Sequence, residues 1–320
     1  MGRSSFTGAA SALTHGSRLA SASSKLKTCV CLSMAFIGST HIDSAQAEPF
    51  IGQFELKTLE SASGKFEFQS QNAWAWDQPP RRVEAGSADE LLFDENSIFR
   101  ERYALELEVG FSHLFKMRVG IEAENERVDE PLSSSRANDF EGLRGAEIGA
   151  EFIAVFLRRD SEGLGLGAVA EVEGPLDQEG PNHLSLGTII EYRVADWLMA
   201  AVPMLVYSFG GERDEGELAD HKWDFAYAAQ VMRMLSERWS IALEGYGTVE
   251  RVFNSGKPSL AATYFGDADQ HRLGPVVYFS HAGSQAQENG AELTIGVGWL
   301  EGLNSTTADH TLKLSIEVDF

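Results

Sequence analysis

Carboxylates dominate the chemistry this chain can offer. Glutamates recur two or four residues apart in apolar surroundings, at Glu106 and Glu108, Glu122 and Glu124, Glu147 and Glu151, and Glu171 and Glu173. Residues two apart on an extended chain share one face of a strand. Acids in such rows can attract cations, hold a metal or line a wet passage. The same phase adds Glu191, Glu244, Glu250, Glu292 and Glu317 to that face. It adds fewer basic partners, at Arg102, Lys116, Arg118, Arg144, Arg193, Arg272 and Lys313. One reading of this set is a cation-preferring path lined by carboxylates. The other is a packed interior of Glu, Arg and Lys pairs that conducts nothing, and spacing alone leaves both open.

Other chemistries find little support. The histidines beyond the N-terminal stretch, His113, His183, His221, His271, His281 and His310, form no His-Glu-x-x-His pair, and there is no Gly-x-Ser-x-Gly elbow. The acidic runs Asp89-Glu90, Asp94-Glu95, Asp214-Glu215-Gly216-Glu217 and Asp267-Ala268-Asp269 lack the spacing of a calcium loop and read as solvated surface. Gly163-Leu164-Gly165-Leu166-Gly167 opens a strand rather than a helix, so it is no nucleotide loop. No cofactor and no metal site is expected, and the chain does not read as an enzyme.

The elements that position the acids begin after an export signal. Lys25 and Lys27 precede the apolar run Cys29–Ile37, and Ala45-Gln46-Ala47 supplies a small-x-small cleavage site that leaves Glu48 first. Both cysteines, Cys29 and Cys31, fall inside that signal. The mature chain then has no thiol for a disulfide, a metal or a nucleophile. Losing Arg3, Arg18, Lys25, Lys27 and Asp43 with residues 1–47 takes the net charge from −22 to −25. Such a field repels phosphate backbones, so nucleic acid is not a partner. Residues 48–64, with Phe50, Phe54, Leu56 and Leu59, form either a periplasmic arm or a plug; residues 65–320 form the barrel domain argued next.

Alternation predicts about twelve strands. They lie near Lys65–Trp76, Arg102–Phe111, Phe115–Asn125, Leu143–Leu157, Leu164–Glu173, His183–Arg193, Leu198–Gly210, Lys222–Leu235, Trp239–Glu250, Gln270–Ser280, Gly290–Leu300 and Asp309–Phe320. The seventh is the weakest, because Ala200–Val206 is apolar on both faces and contains Pro203. Short connections alternate with long ones rich in Gly, Pro, Asp, Glu and Ser. Aromatics fall in two belts at the strand ends: Trp74, Trp76, Tyr207, Phe209, Trp223, Phe225 and Trp299 by the long loops, and Phe111, Phe115, Tyr192, Trp197, Trp239 and Phe320 by the short turns. Short turns, long loops, aromatic girdles and an even strand number are the marks of a transmembrane, antiparallel, up-and-down β-barrel. The fold expected is all-β, of about 12 strands with 10–14 admitted, in the cell outer membrane. Inward glycines (among them Gly120, Gly149, Gly165 and Gly167) read as relief of crowding.

The last strand, Asp309–Phe320, alternates Leu312, Leu314, Ile316, Val318 and Phe320 against Lys313, Ser315, Glu317 and Asp319. It resembles the closing strand of bacterial outer-membrane barrels. That resemblance implies that Phe320 is an assembly signal read by the barrel-assembly machinery. Together with Ala291–Trp299 it resembles barrels of the meta-pathway phenol-degradation transporter type. The family implies a channel-like outer-membrane role, sometimes tied to uptake of aromatic compounds, and carries over no substrate residue. Ser255 in Asn254-Ser255-Gly256 is similar to the serine context of outer-membrane phospholipases, but it sits in a long loop without that family's histidine strand. The leading expectation is a passive channel for small solutes with a Glu-rich polar lumen. A non-conducting structural or surface-interaction barrel is second and a barrel-embedded lipid-modifying enzyme third. Expected partners are outer-membrane lipid, lipopolysaccharide bridged weakly through cations, the assembly machinery and small solutes.

Overall fold

Strict alternation produces long strands. The wall strands are β1 (Phe66–Trp76), β2 (Ser97–Ser112), β3 (Phe115–Val128), β4 (Arg144–Leu157), β5 (Gly163–Pro175), β6 (Asn182–Val194), β7 (Trp197–Phe209), β8 (Lys222–Met234), β9 (Trp239–Val249), β10 (Gln270–Ala282), β11 (Glu292–Gly302) and β12 (His310–Asp319). The computed structural model describes residues 56–60, 63–77, 82–83, 92–93, 97–128, 144–159, 162–176, 181–210, 212–213, 217–218, 221–258, 267–282 and 291–320. The predicted signal at 1–47, residues 48–55, and the acidic runs at 89–90, 94–95 and 214–216 lie outside the described residues. Each wall strand pairs antiparallel with its sequence neighbours, and β1 closes on β12. An even strand number is what lets the first and last strands meet antiparallel. Two short ribbons, 82–83 with 92–93 and 212–213 with 217–218, lie within long connections; the alternation did not foretell them.

Chemistry sorts by face. Leu105 and Leu107 are 42% and 43% exposed on the outside, whereas Glu106 and Glu108 between them are 4% and 6% exposed. In a closed barrel the buried side is the interior, so charges turn inward and apolar side chains outward. A one-residue slip of β3 would move Lys116 and Arg118 to the outer face. A charge facing lipid costs up to about 2–4 kcal/mol at mid-bilayer and less toward the rim, so the charges help hold the register. At the seam the Phe320 N–H donates to the Phe66 carbonyl at 2.8 Å.

The seventh predicted strand is a full wall strand, β7. Pro203 has no N–H to give, and the β6–β7 pairing skips from Gly187↔Met204 to Ile190↔Ala201 at that point. On its other side the pairing with β8 runs through Tyr227↔Pro203 unbroken. Pro275 makes the same local gap between β10 and β11. The inner face of β7 is apolar because the lumen is not uniformly polar. Val202, Met204 and Val206 pack with Ile153, Val155, Val169, Ile189, Ala226, Ala228, Ala242, Tyr246, Val276 and Leu300 in one buried cluster. The Glu-rich lumen expected from the sequence is therefore divided: an acidic sector on β2–β5 adjoins an apolar one centred on β6–β8.

The aromatic belts are built from cross-strand contacts. At the long-loop end Trp76 meets Trp299 edge-on at 5.2 Å, and Tyr207 meets Trp223 at 4.7 Å. At the short-turn end Phe111 stacks on Phe115 at 5.8 Å, and Trp239 meets Phe279 at 4.9 Å. Amphipathic rings are most favourable at membrane interfaces.

Candidate functional site

Pairing across β2–β5 assembles the acids into a cage. Glu106 faces Gly120, Gly120 faces Gly149, and Gly149 faces Glu173 across successive strands. The two glycines give the acids room to lie over the wall. A Cβ at Gly120 would sit 3.1 Å from Glu106 Cγ, and one at Gly149 would sit 2.9 Å from Glu173 Cγ. In the adjoining row Arg118 faces Glu151, and Glu151 faces Glu171. These residues, with Glu122 and Glu147, line one small cavity with room for about a single water.

Cations answer only part of that charge. Arg118 Nη1 reaches Glu106 at 3.4 Å and its Nη2 reaches Glu108 at 2.9 Å. Lys116 also pairs with Glu108, at 2.9 Å. Arg102 pairs with Glu122 and lies 3.5 Å from Glu147. Four buried carboxylate oxygens on the cavity have no hydrogen-bond partner: Glu122 Oε1, Glu147 Oε2, Glu151 Oε1 and Glu173 Oε2.

Glu151 and Glu171 are like charges directly opposite each other, an arrangement that is destabilising unless bridged. The bridge comes from outside the wall. Lys57 is 4% exposed, and its ammonium pairs with Glu151 and lies 3.4 Å from Glu171. The backbone N–H of Leu59 donates to Glu191 Oε1 at 2.8 Å, and Thr58 Oγ1 lies 3.4 Å from Lys116 Nζ. The Leu59 side chain fills the space left by two glycines of β5. A Cβ at Gly165 would sit 2.8 Å from its Cδ1, and one at Gly167 2.5 Å from its Cδ2. Residues 56–60 thus lie against the inner wall, held by charge on one side and by the apolar sector on the other.

The remaining predicted lumen residues fall into distinct settings. Glu191 is claimed by the Leu59 amide and by Arg159 at 3.2 Å. Glu244 sits in a closed knot: it accepts from Lys313 at 2.8 Å, Gln230 at 2.7 Å, Tyr246 at 2.5 Å and Tyr278. Arg272 donates to Thr311 at 3.1 Å, and Arg193 points an N–H at the Met234 sulfur, 3.0 Å away. Glu124 is half-buried in the inward phase, opposite Arg144. Glu292 is exposed at the short-turn mouth. Glu317, with Glu67 and Asp319, brings three carboxylates within 4.8 Å of one another at that end.

Sequence reasoning missed Lys57 and Arg159, because neither belongs to a wall strand with a face to count. It also missed one pairing: His183 and Ser208 face each other across β6 and β7, with Nδ1 3.1 Å from Oγ and Glu147 3.6 Å from Nε2. The pairing is direct cross-strand register, and Glu147 is shared with Arg102. Ser255 proves structural, since its Oγ accepts from the Trp223 N–H at 2.7 Å and donates to the Trp223 carbonyl at 3.2 Å. His221, His271 and His310 likewise cap neighbours at the long-loop end, bonding Tyr207, Tyr227 and Glu301.

No family model and no curated protein matches the chain. Solved structures of bacterial barrels do. The NanC porin covers 79% of this chain and 98% of its own, at 7% identity and a TM-score of 0.47. The KdgM porin, in complex with disordered oligogalacturonate, covers 80% and 98%, at 7% identity and 0.38. The outer membrane protein Omp33 of Acinetobacter baumannii covers 82% and 99%, at 11% identity and 0.34. The chain's own wall carries the assignment: twelve antiparallel strands closed on themselves, apolar outside and charged within, with aromatic girdles at both rims. This is an outer-membrane-type β-barrel.

Proposed function

We propose that the protein is a passive outer-membrane conduit for small cationic and neutral solutes, with the acidic sector as its selectivity element and residues 56–60 narrowing the path. One observation carries this reading: six glutamates converge on a single cavity on one side of the lumen. Low-dielectric walls focus such a field and raise the local concentration of cations. Planar-bilayer recording of the refolded mature chain under a KCl gradient tests it. A reversal potential on the cation side is expected, and Glu106→Gln with Glu173→Gln should move it toward zero. Silent bilayers from folded, heat-modifiable protein would remove the conduit.

The second reading, a non-conducting structural barrel, has its own observation. Lys116 and Glu244 are fully buried and Lys313 is 2% exposed, as in a filled interior. The same silent bilayers would favour it. Uptake of aromatic compounds, of the phenol-degradation transporter type, rests on the resemblance of the last two strands. It predicts that phenol transiently blocks the current. An enzymatic reading rests on the Ser208–His183 contact alone; labelling of Ser208 by a fluorophosphonate would support it, and its absence would end it. Lipopolysaccharide and the assembly machinery, through Phe320, complete the proposed partners.

A further inference from the structure

We infer that the acid pair Glu151 and Glu171, with the apolar strip beside it, is a binding site for a primary alkylammonium solute, and that Lys57 and Leu59 occupy it as a tethered stand-in. The inference rests on the acidic-conduit reading and names the class of solute that conduit selects.

The inner faces of β4 and β5 pass from acidic to apolar in step. Glu151 faces Glu171, Ile153 faces Val169, and Val155 faces Gly167. All six positions are buried. Residues on one face rise about 6.6–6.8 Å per pair, so the acids and the glycine floor lie about 13 Å apart along the wall. Two carboxylates set opposite each other need a cation between them. Lys57 supplies it, and Leu59 fills the space over Gly165 and Gly167. Neither residue belongs to a wall strand. The wall therefore builds the site, and residues 57–59 fit it with an ammonium at one end and a branched apolar body at the other. Acceptor capacity is left over: Glu151 Oε1 is buried and accepts no hydrogen bond, and Arg118 Nη1 stands 4.0 Å from it.

Size and donors fix the head group. The cavity beside these acids has room for about one water. A ligand must therefore take the place of Lys57 and Leu59 rather than sit next to them, and it must arrive without a hydration shell. A primary ammonium is compact and brings three N–H donors to the carboxylates. A quaternary ammonium brings the charge and no donor. An alkyl stem on the amine then lies along Ile153 and Val169 toward the floor that Leu59 covers.

Tethering sets the concentration at which a free amine competes. Lys57 lies nine positions before Phe66, the first residue of β1. A short flexible link gives an attached group an effective concentration of roughly millimolar. Free amine in that range rivals Lys57, and its seating releases the segment that narrows the path.

Two measurements on the refolded chain from Glu48 onward, in detergent, test this. In the first, Leu56→Cys reports access of a charged thiol reagent to the segment. n-Hexylamine should quicken labelling severalfold and saturate at roughly millimolar amine. Tetraethylammonium, which has the charge without an N–H, and 1-hexanol, which has the stem without the charge, should leave the rate unchanged. In the second, calorimetry compares amine affinity between variants. Lys57→Met removes the competitor and should tighten n-hexylamine binding by at least about tenfold, and adding Glu171→Gln should reverse the gain. Methylamine, which lacks the stem, should bind Lys57→Met at least about tenfold more weakly than n-hexylamine. An equal response to tetraethylammonium would reduce the effect to charge screening and overturn the site. Equal n-hexylamine affinity with and without Lys57 would place the amine elsewhere and overturn it as well, and methylamine binding as tightly as n-hexylamine would remove the apolar strip. If Lys57→Met does not fold, the labelling measurement decides alone. A silent bilayer would remove the conduit and leave a measured amine site standing, whereas cation-selective current without amine binding would remove only this inference.

Discussion

Replacing Lys57 by methionine keeps the length and apolar stem of the side chain and deletes only the ammonium. In the structure that ammonium pairs with Glu151 and Glu171, and both partners are nearly inaccessible to solvent, so little of the interaction is screened. Removing one partner of a buried pair costs about 3–5 kcal/mol, much of it the stranded acid. The main contacts besides it are burial of Leu59, worth about 1.5–3 kcal/mol, and the Leu59 N–H on Glu191, a bond to a charged group worth about 1.5–3 kcal/mol; the long Thr58–Lys116 contact and the Glu60–Arg159 pair, whose acid is exposed, add less. The loss therefore equals most of what remains. The barrel has one ready way to relax, which is to let residues 56–60 withdraw so that water reaches Glu151 and Glu171. At about 1.4 kcal/mol per tenfold, Lys57→Met should favour withdrawal by two to three orders of magnitude. Both cysteines, Cys29 and Cys31, precede residue 48, so in a chain prepared from Glu48 onward Leu56→Cys is a clean reporter. Its labelling by a charged thiol reagent should quicken by about 100-fold in the Lys57→Met background, following the same constant, and channel current should rise. Gly165→Val should act the same way without touching charge, because its Cβ would sit 2.8 Å from Leu59 Cδ1. Unchanged labelling and current in both variants would refute the seating argument.

Lys313→Met should destabilise the folded barrel by about 3–5 kcal/mol, because it strands Glu244 with no solvent exposure, and adding Glu244→Gln should restore most of that loss. Denaturant titration of protein in detergent checks it; a double variant no better than the single would sink the pairing argument. Deleting Phe320 removes the seam bond to Phe66 and an aromatic that is 60% exposed at the rim. If it is an assembly signal, insertion in cells should fall sharply while refolding in micelles proceeds, and equal losses in both would make its role purely structural.

Strand number, phase and loop rhythm were legible because each depends on neighbours in sequence. A period of two sorts Leu105 from Glu106 wherever one side meets lipid, and turn residues mark the ends. β7 was the hardest to read because the contrast between its faces vanishes where Val202 and Val206 meet an apolar sector built by other strands. The charged rows at Glu106–Glu108 and Lys116–Arg118 were visible for the same local reason. Their partnership, Arg118 with both acids, follows once hairpin register is known.

The sequence by itself determined which side chains turn inward, since lipid outside tolerates no buried charge and the phase admits one solution. Only the tertiary structure decided how those charges are answered. Glu151 meets Glu171 through β4–β5 register, and Lys57 reaches both from 94 and 114 positions away along the chain. Alternation cannot encode that contact, because residues 56–60 belong to no wall strand and find their place by filling the space over Gly165 and Gly167. Closure of the barrel is what turns rows of acids into a cage, and the pairing of Gly120 with Gly149 is what gives Glu106 and Glu173 room to lie over the wall.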